Sequence, residues 1–257
     1  MKARAEEAPD PAVETNALYE TAITVVIGEL ERRFQIGLGA ELPRFEFDPI
    51  LRERWMLRLD GRFESARNLI ALHRMYMACD PSPIINRGVF YDNNLAQHSG
   101  RCHPHEVRSL LAHELGHFYI EYMMRKTAEE SWMVPLRQRS LNTLDYFGLL
   151  LVSEGVGEYF ECTLGGGCLT EVKDEWFTDT YTEETFLSTA RVIMYEGGYA
   201  LMKPLLDRGV EEGVRYILDN PLVIPVAFDI PDLRQALRYR EKALRELETT
   251  RTSTSSR

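Results

Sequence analysis

The sequence predicts an α+β chain, with a small mixed sheet in its first half and a helical C-terminal region. Three observations carry that prediction. Strand-like alternation occurs at Arg44-Phe-Glu-Phe47 and again between residues 84 and 97. Apolar residues recur with helical spacing over about 104–126 and about 146–160. From about Thr182 onward the helical pattern is nearly continuous, broken by Pro221 and Pro225. At 257 residues and 44% hydrophobic, the chain is large enough to bury a substantial core, as one large domain or two small ones.

Taken in order, residues 1–12 are charged and proline-bearing, with no apolar stretch of the signal-peptide kind, and are expected to be disordered. Leu18, Ala22, Val25, Val26 and Leu30 predict a helix over about Val13 to Phe34. Residues 44–47 predict a short strand. Asp48-Pro49 is a helix-start signal, yet Trp55, Leu57 and Leu59 alternate, so 50–60 reads both ways. A helix is expected from about Phe63 to Cys79, ending at Asp80-Pro81. Ile84 to Asn86 reads as a strand, and Gly88 to Gln97 as a hairpin about Asp92-Asn93-Asn94. The C-terminal pattern predicts helices at roughly 182–195, 198–207, 210–219 and 232–248, followed by a Ser/Thr-rich disordered tail over 249–257. The break at Gly197-Gly198 is expected to separate two of these helices.

The helix over about Pro104 to Lys126 carries His113-Glu114-Leu115-Gly116-His117. Histidines four apart stand one turn above each other on one helical face, so both imidazoles can reach a single ion. Zinc accepts imidazole nitrogen and, in hydrolytic sites, takes three protein ligands and keeps a fourth position for water. Glu114 then stands where a general base for that water is needed. Val107, Leu110, Leu111, Leu115, Phe118 and Ile120 supply the apolar side of the helix. Ala112 and Gly116 leave room for a second backbone to approach.

No histidine follows His117, so a third ligand from downstream must be a carboxylate. Glu121, Glu129, Glu130, Asp145, Glu154, Glu158 and Glu161 are the candidates. Glu154 stands out, because it lies with Glu158 one turn apart on one face of the strongly apolar stretch 146–160. A carboxylate there is costly unless paired or bound to a cation, and two on one face call for a shared positive partner. A buried arginine would satisfy the same need.

His113-Glu-Leu-Gly-His117 followed by Ser153-Glu-Gly-Val-Gly-Glu-Tyr159 resembles the gluzincin clan of zinc metallopeptidases, and within it the peptidase MA-like group, over roughly residues 84–205. The second helix of that group reads W-L-x-E-G-x-A-x-Y; this chain lacks the tryptophan and has Gly157 in place of alanine. The metzincin extension is absent, since Ile120 and Met123 stand where it needs Gly and His. The resemblance implies a zincin-like catalytic core within residues 13–178 and a helical region over 179–248. It implies one Zn2+ per chain on His113, His117 and Glu154, with Glu158 accepting the free N–H of a zinc histidine. It further implies a sheet-edge strand, the second of the 88–97 hairpin, able to grip an extended peptide. Tyr195, in Met194-Tyr-Glu-Gly-Gly-Tyr199, matches a Tyr/Gly-bearing segment of the group and is the candidate oxyanion donor, with Tyr199 and Arg191 as alternatives.

The expected function is zinc-dependent hydrolysis of a peptide or protein substrate, with Glu114 activating water. The alternative from another class is an inactive zincin-fold protein that binds peptides or proteins. Thirty basic against forty acidic residues give a net charge of −10, which argues against a nucleic-acid or anionic-membrane partner. Leu149 to Val152 is too short to span a bilayer. Cys79, Cys102, Cys162 and Cys168 show no C-x-x-C spacing and read as reduced, with a Cys162–Cys168 bridge across Gly165-Gly166-Gly167 geometrically open. These features together point to the cytoplasm.

Overall fold

The computed structural model describes residues 11–48, 61–64, 68–73, 104–127, 147–165, 172–227 and 230–254. The expected strand at 84–86, the hairpin at 88–97 and the two-way segment 50–60 lie outside them. Within them the chain is mostly helical with a small sheet, which is α+β at the coarse level.

Helix α1 spans Pro11–Phe34. It starts inside the stretch 1–12 expected to be disordered, because proline suits a first helical turn, where its missing N–H has no partner to lose. Ala22, Val26 and Leu30, at i, i+4 and i+8, are 0–2% exposed and form its inner stripe. Glu29 pairs with both Arg32 and Arg33 at 2.6 Å on the outer side.

Strands β1 (Arg44–Asp48), β2 (Gly61–Glu64) and β3 (Leu69–His73) form a mixed sheet in the order β1-β3-β2. β3 is central, parallel to β1 with Phe45 opposite Ile70, and antiparallel to β2 with Phe63 opposite Ile70. This corrects the helix expected over Phe63 to Cys79. Asn68 takes a positive φ of 47°, its carbonyl accepts from the Arg44 N–H at 2.8 Å, and Leu69 and Ile70 are both fully buried. Two-sided burial erases the alternation that marks a strand, and pairing with β1 then overrides local propensity.

Helix α2 (Pro104–Thr127) and helix α3 (Phe147–Leu164) make the most extensive contact between any two elements described. α2 is buried all round from Leu111 to Met124 except for partial exposure at His117. Its polar residues in that stretch, His113, Glu114 and Glu121, are only 4–6% exposed. Two glycine contacts set the helix spacing. A Cβ on Gly116 would fall 2.8 Å from the Gly157 Cα, and a Cβ on Gly155 would fall 2.2 Å from the Gly198 carbonyl oxygen. Side chains at these positions would hold the helices apart, so the absence of Cβ is what admits the close approach.

The C-terminal part comprises α4 (Glu175–Thr178), α5 (Glu183–Val192), a π-helical segment (Ile193–Gly197), α6 (Gly198–Leu206), α7 (Val210–Asp219), the paired β4 (Val226–Ala227) and β5 (Ile230–Pro231), and α8 (Arg234–Thr254). Thr182 caps α5: its hydroxyl accepts from the Thr185 N–H at 3.2 Å while the Thr182 N–H reaches the Thr185 hydroxyl at 2.8 Å. The expected break at Gly197-Gly198 is instead a continuous passage through the π-helical segment into α6. Packing of Gly198 against α3 holds a backbone that glycine alone would weaken. α8 runs on through Thr254, where a disordered tail was expected from 249. Once Leu233, Ala236 and Ala243 anchor its early turns, each further residue adds a hydrogen bond without a new nucleus.

One apolar core extends from Ala22 on α1 to Ala243 on α8. Among the described residues no helix is long and apolar enough to cross a membrane. Cys162, on the last turns of α3, is disulfide-bonded, which corrects the expectation of four reduced thiols. The other cysteines lie outside the described residues.

Candidate metal centre

The centre forms where α2 and α3 come closest. His113 and His117 project from α2, and Glu154 projects from α3 a turn before Gly157. The two histidine Nε2 atoms are 3.1 Å apart. Glu154 Oε2 lies 3.2 Å from His113 Nε2 and 3.7 Å from His117 Nε2. Ligand atoms about 2.05 Å from a tetrahedral ion stand about 3.3 Å from one another. A point about 2.05 Å from all three atoms here lies about 0.6 Å out of their plane, against roughly 0.7 Å in a regular tetrahedron. The three groups therefore fit one zinc-sized ion in the geometry of three of its four tetrahedral ligands. These residues could hold a metal as they stand.

What surrounds the triangle fixes the rings. The Nδ1 of His117 meets the Ser153 hydroxyl at 3.0 Å. The Nδ1 of His113 lies 3.4 Å from Glu158 Oε1 and 3.3 Å from Glu161 Oε2. Partners at Nδ1 hold the proton there and turn Nε2 toward the common point. The ring of His113 also rests on bare backbone: a Cβ on Gly157 would come within 2.7 Å of its Cε1 and Nε2. Tyr195, carried by the π-helical segment, also stacks on the His113 ring, with centroids 5.7 Å apart and planes 27° from parallel. The Tyr195 hydroxyl also hydrogen-bonds to Glu154. π-Helical turns inside helices are frequent at functional sites.

Side-chain exposure is graded across the centre. Glu154 is 19% exposed and His117 14%, against 8% for His113 and 2% for Glu158. Among the described residues the triangle is therefore most exposed at Glu154 and His117.

The electrostatics follow from charges kept out of water. Burial pushes His113 down, but the hydrogen bonds and charges of Glu154 and Glu161 outweigh it and hold the imidazole well above its ordinary value. His117 is pushed down to about 4, by burial first and with help from His113. Burial would raise Glu154, yet His117, His113 and the Tyr195 hydrogen bond hold it down to about 2. A neutral His117 beside an ionised Glu154 is the donor set a cation needs.

Of the residues singled out in the sequence, His113, His117, Glu154, Glu158 and Tyr195 are brought together. Glu114 is buried at 5% exposure on the same helix. Tyr199 is buried near Lys203 and Asp207, which shift it with burial leading, and the side chain of Arg191 lies outside what is described. Sequence reasoning missed the contacts of Ser153 and Glu161. The signal for Glu161 was present, since Glu154, Glu158 and Glu161 at i, i+4 and i+7 share one helical face. Ser153 gives no periodic signal, because a serine in a helix most often merely bonds its own backbone. The chain matches no family model, no curated protein and no solved structure.

Proposed function

We propose that the chain is a zinc-dependent peptidase of the gluzincin type, with a zincin-like core. The observation that supports it most is the triangle of His113, His117 and Glu154, whose edges of 3.1, 3.2 and 3.7 Å suit three ligands of one tetrahedral ion. An H-E-x-x-H pair completed by a carboxylate from a second helix is the donor set of hydrolytic rather than purely structural zinc, which favours four protein ligands.

His113, His117 and Glu154 would hold the metal. When bound, zinc supplies Lewis acidity that polarises a scissile carbonyl and makes water more acidic. Glu114 takes a proton from the attacking water on a carboxylate oxygen and returns it to the departing amine. Tyr195 orients Glu154 through its hydroxyl and, turned to substrate, donates that hydrogen bond to the oxygen on which negative charge develops. Ser153 and Glu158 keep the two imidazoles in the ligating tautomer.

The test is hydrolysis of a mixed peptide library by the purified protein, with and without a chelator, alongside its metal content. Chelator-sensitive cleavage that zinc restores is the expected result. Stoichiometric zinc without cleavage would put the peptide-binding reading first, and no zinc would refute both.

A further inference from the structure

We propose that Glu161 is a second positioning residue on His113, sharing the Nδ1–H of that ring with Glu158. This rests on the zinc reading and adds to it an anion that the one-acid pattern of the motif does not contain.

Glu158 Oε1 and Glu161 Oε2 approach the same nitrogen at 3.4 and 3.3 Å, from consecutive turns of α3. Their side chains are 2% and 14% exposed, so both charges are largely removed from water. Two carboxylates three residues apart on one helical face repel each other, and more strongly when desolvated. A single N–H between them lowers that cost, and lowers it most when the ring is polarised by a cation on Nε2. The ring thus transmits metal charge to two acids at once, which couples occupancy of the triangle to the order of α3.

The same three groups, His113, Glu158 and Glu161, also satisfy the distance requirement for an ion of their own. The chemistry argues otherwise. A ring ligating at both nitrogens must lose both protons, whereas two carboxylate oxygens at 3.4 and 3.3 Å, each longer than a single N–H···O bond, suit one Nδ1–H shared between them.

The experiment is a zinc titration against a competing chromogenic chelator for the wild type, E158Q, E161Q and the double variant. Proton NMR of the zinc-loaded wild type and single variants accompanies it. Each single variant should bind zinc on the order of 10-fold more weakly, the usual cost of removing a group that orients a ligand. The double variant should lose more than the product of the two, because either acid alone can still hold the N–H. A downfield His113 Nδ1 proton should be present in the wild type and move in both E158Q and E161Q, while E211Q, a control in the first turn of α7 with its side chain 48% exposed, leaves it in place. That resonance keeps the test decisive if the double variant does not fold. Unchanged zinc affinity and an unmoved resonance in E161Q would overturn the shared clamp while leaving the zinc site standing. Two zinc ions per chain would overturn it in favour of a bridging ring. Absence of zinc uptake by the wild type would overturn both readings.

Discussion

The ring of His113 occupies the space a side chain at Gly157 would need: a methyl group at that position would sit 2.7 Å from the ring's Nε2, the atom that meets Glu154 and His117. The missing Cβ at 157 is thus tied to where the first histidine sits, and Gly157→Ala tests the connection. The ring cannot retreat without carrying Nε2 off the triangle. Overpacking of this kind costs about 1–3 kcal/mol. Taken from metal binding, that is roughly a 5- to 150-fold loss of zinc affinity. Competition titration measures it, and unchanged affinity would mean the ring is free to move without consequence.

Glu114→Gln should separate catalysis from binding. The substitution deletes the proton acceptor and none of the three ligands. Zinc content and circular dichroism should match the wild type while peptide hydrolysis falls by about 10²–10⁴-fold. Retained hydrolysis would refute Glu114 as the base, and lost zinc would give it a part in holding the site.

Ser153→Ala removes the hydroxyl 3.0 Å from His117 Nδ1. His117 is the more exposed of the two histidines and has fewer constraints on its tautomer. Zinc affinity should drop about 10-fold or more, with little change in the thermal midpoint of the metal-free protein. A drop in midpoint with unaltered affinity would make Ser153 a packing residue.

The pairing of Asp174 with Arg240 gives a pH signature remote from the metal centre. The guanidinium meets both carboxylate oxygens, at 2.7 and 2.8 Å, and also donates to the Ala200 carbonyl at 3.1 Å, joining α8 to α6. The Arg240 hydrogen bonds, the leading cause, hold the Asp174 carboxyl below its ordinary value. A depressed folded value means the stabilisation is present above the unfolded pKa, near 3.9, and disappears as pH falls through the folded one. With Asp174 half exposed, the contribution is about 0.2–1 kcal/mol. Asp174→Asn should lower stability by that amount at pH 7 and by nothing near pH 2, in urea titrations at the two pH values. An equal loss at both would assign the effect to packing.

The parts of the site legible in the sequence are those with a period. His113 and His117 share a face by their spacing, and Glu154 betrayed itself as an acid in an apolar run. The close helix approach was readable from Gly116, Gly155 and Gly157, because glycine in a helix interior is destabilising unless packing requires it. The β3 strand was not readable: Leu69 and Ile70 are buried on both faces, and an apolar run without alternation reads equally as helix. The π-helical segment was not readable either, since its Gly197-Gly198 pair signals a break in a free chain and becomes a continuous turn only against α3. Glu161 had its signal, the i, i+4, i+7 acids, but nothing in one dimension shows that it meets the same ring nitrogen as Glu158.

The proposed centre is a single zinc ion held by two histidines and one carboxylate. X-ray absorption at the zinc edge of the purified, stoichiometrically loaded protein reads that coordination directly. The expected spectrum shows four light-atom ligands at about 2.0–2.1 Å, with the multiple scattering of two imidazoles, reduced to one in His117→Ala. Sulfur scattering at about 2.3 Å, or a signal unchanged by removing His117, would contradict it.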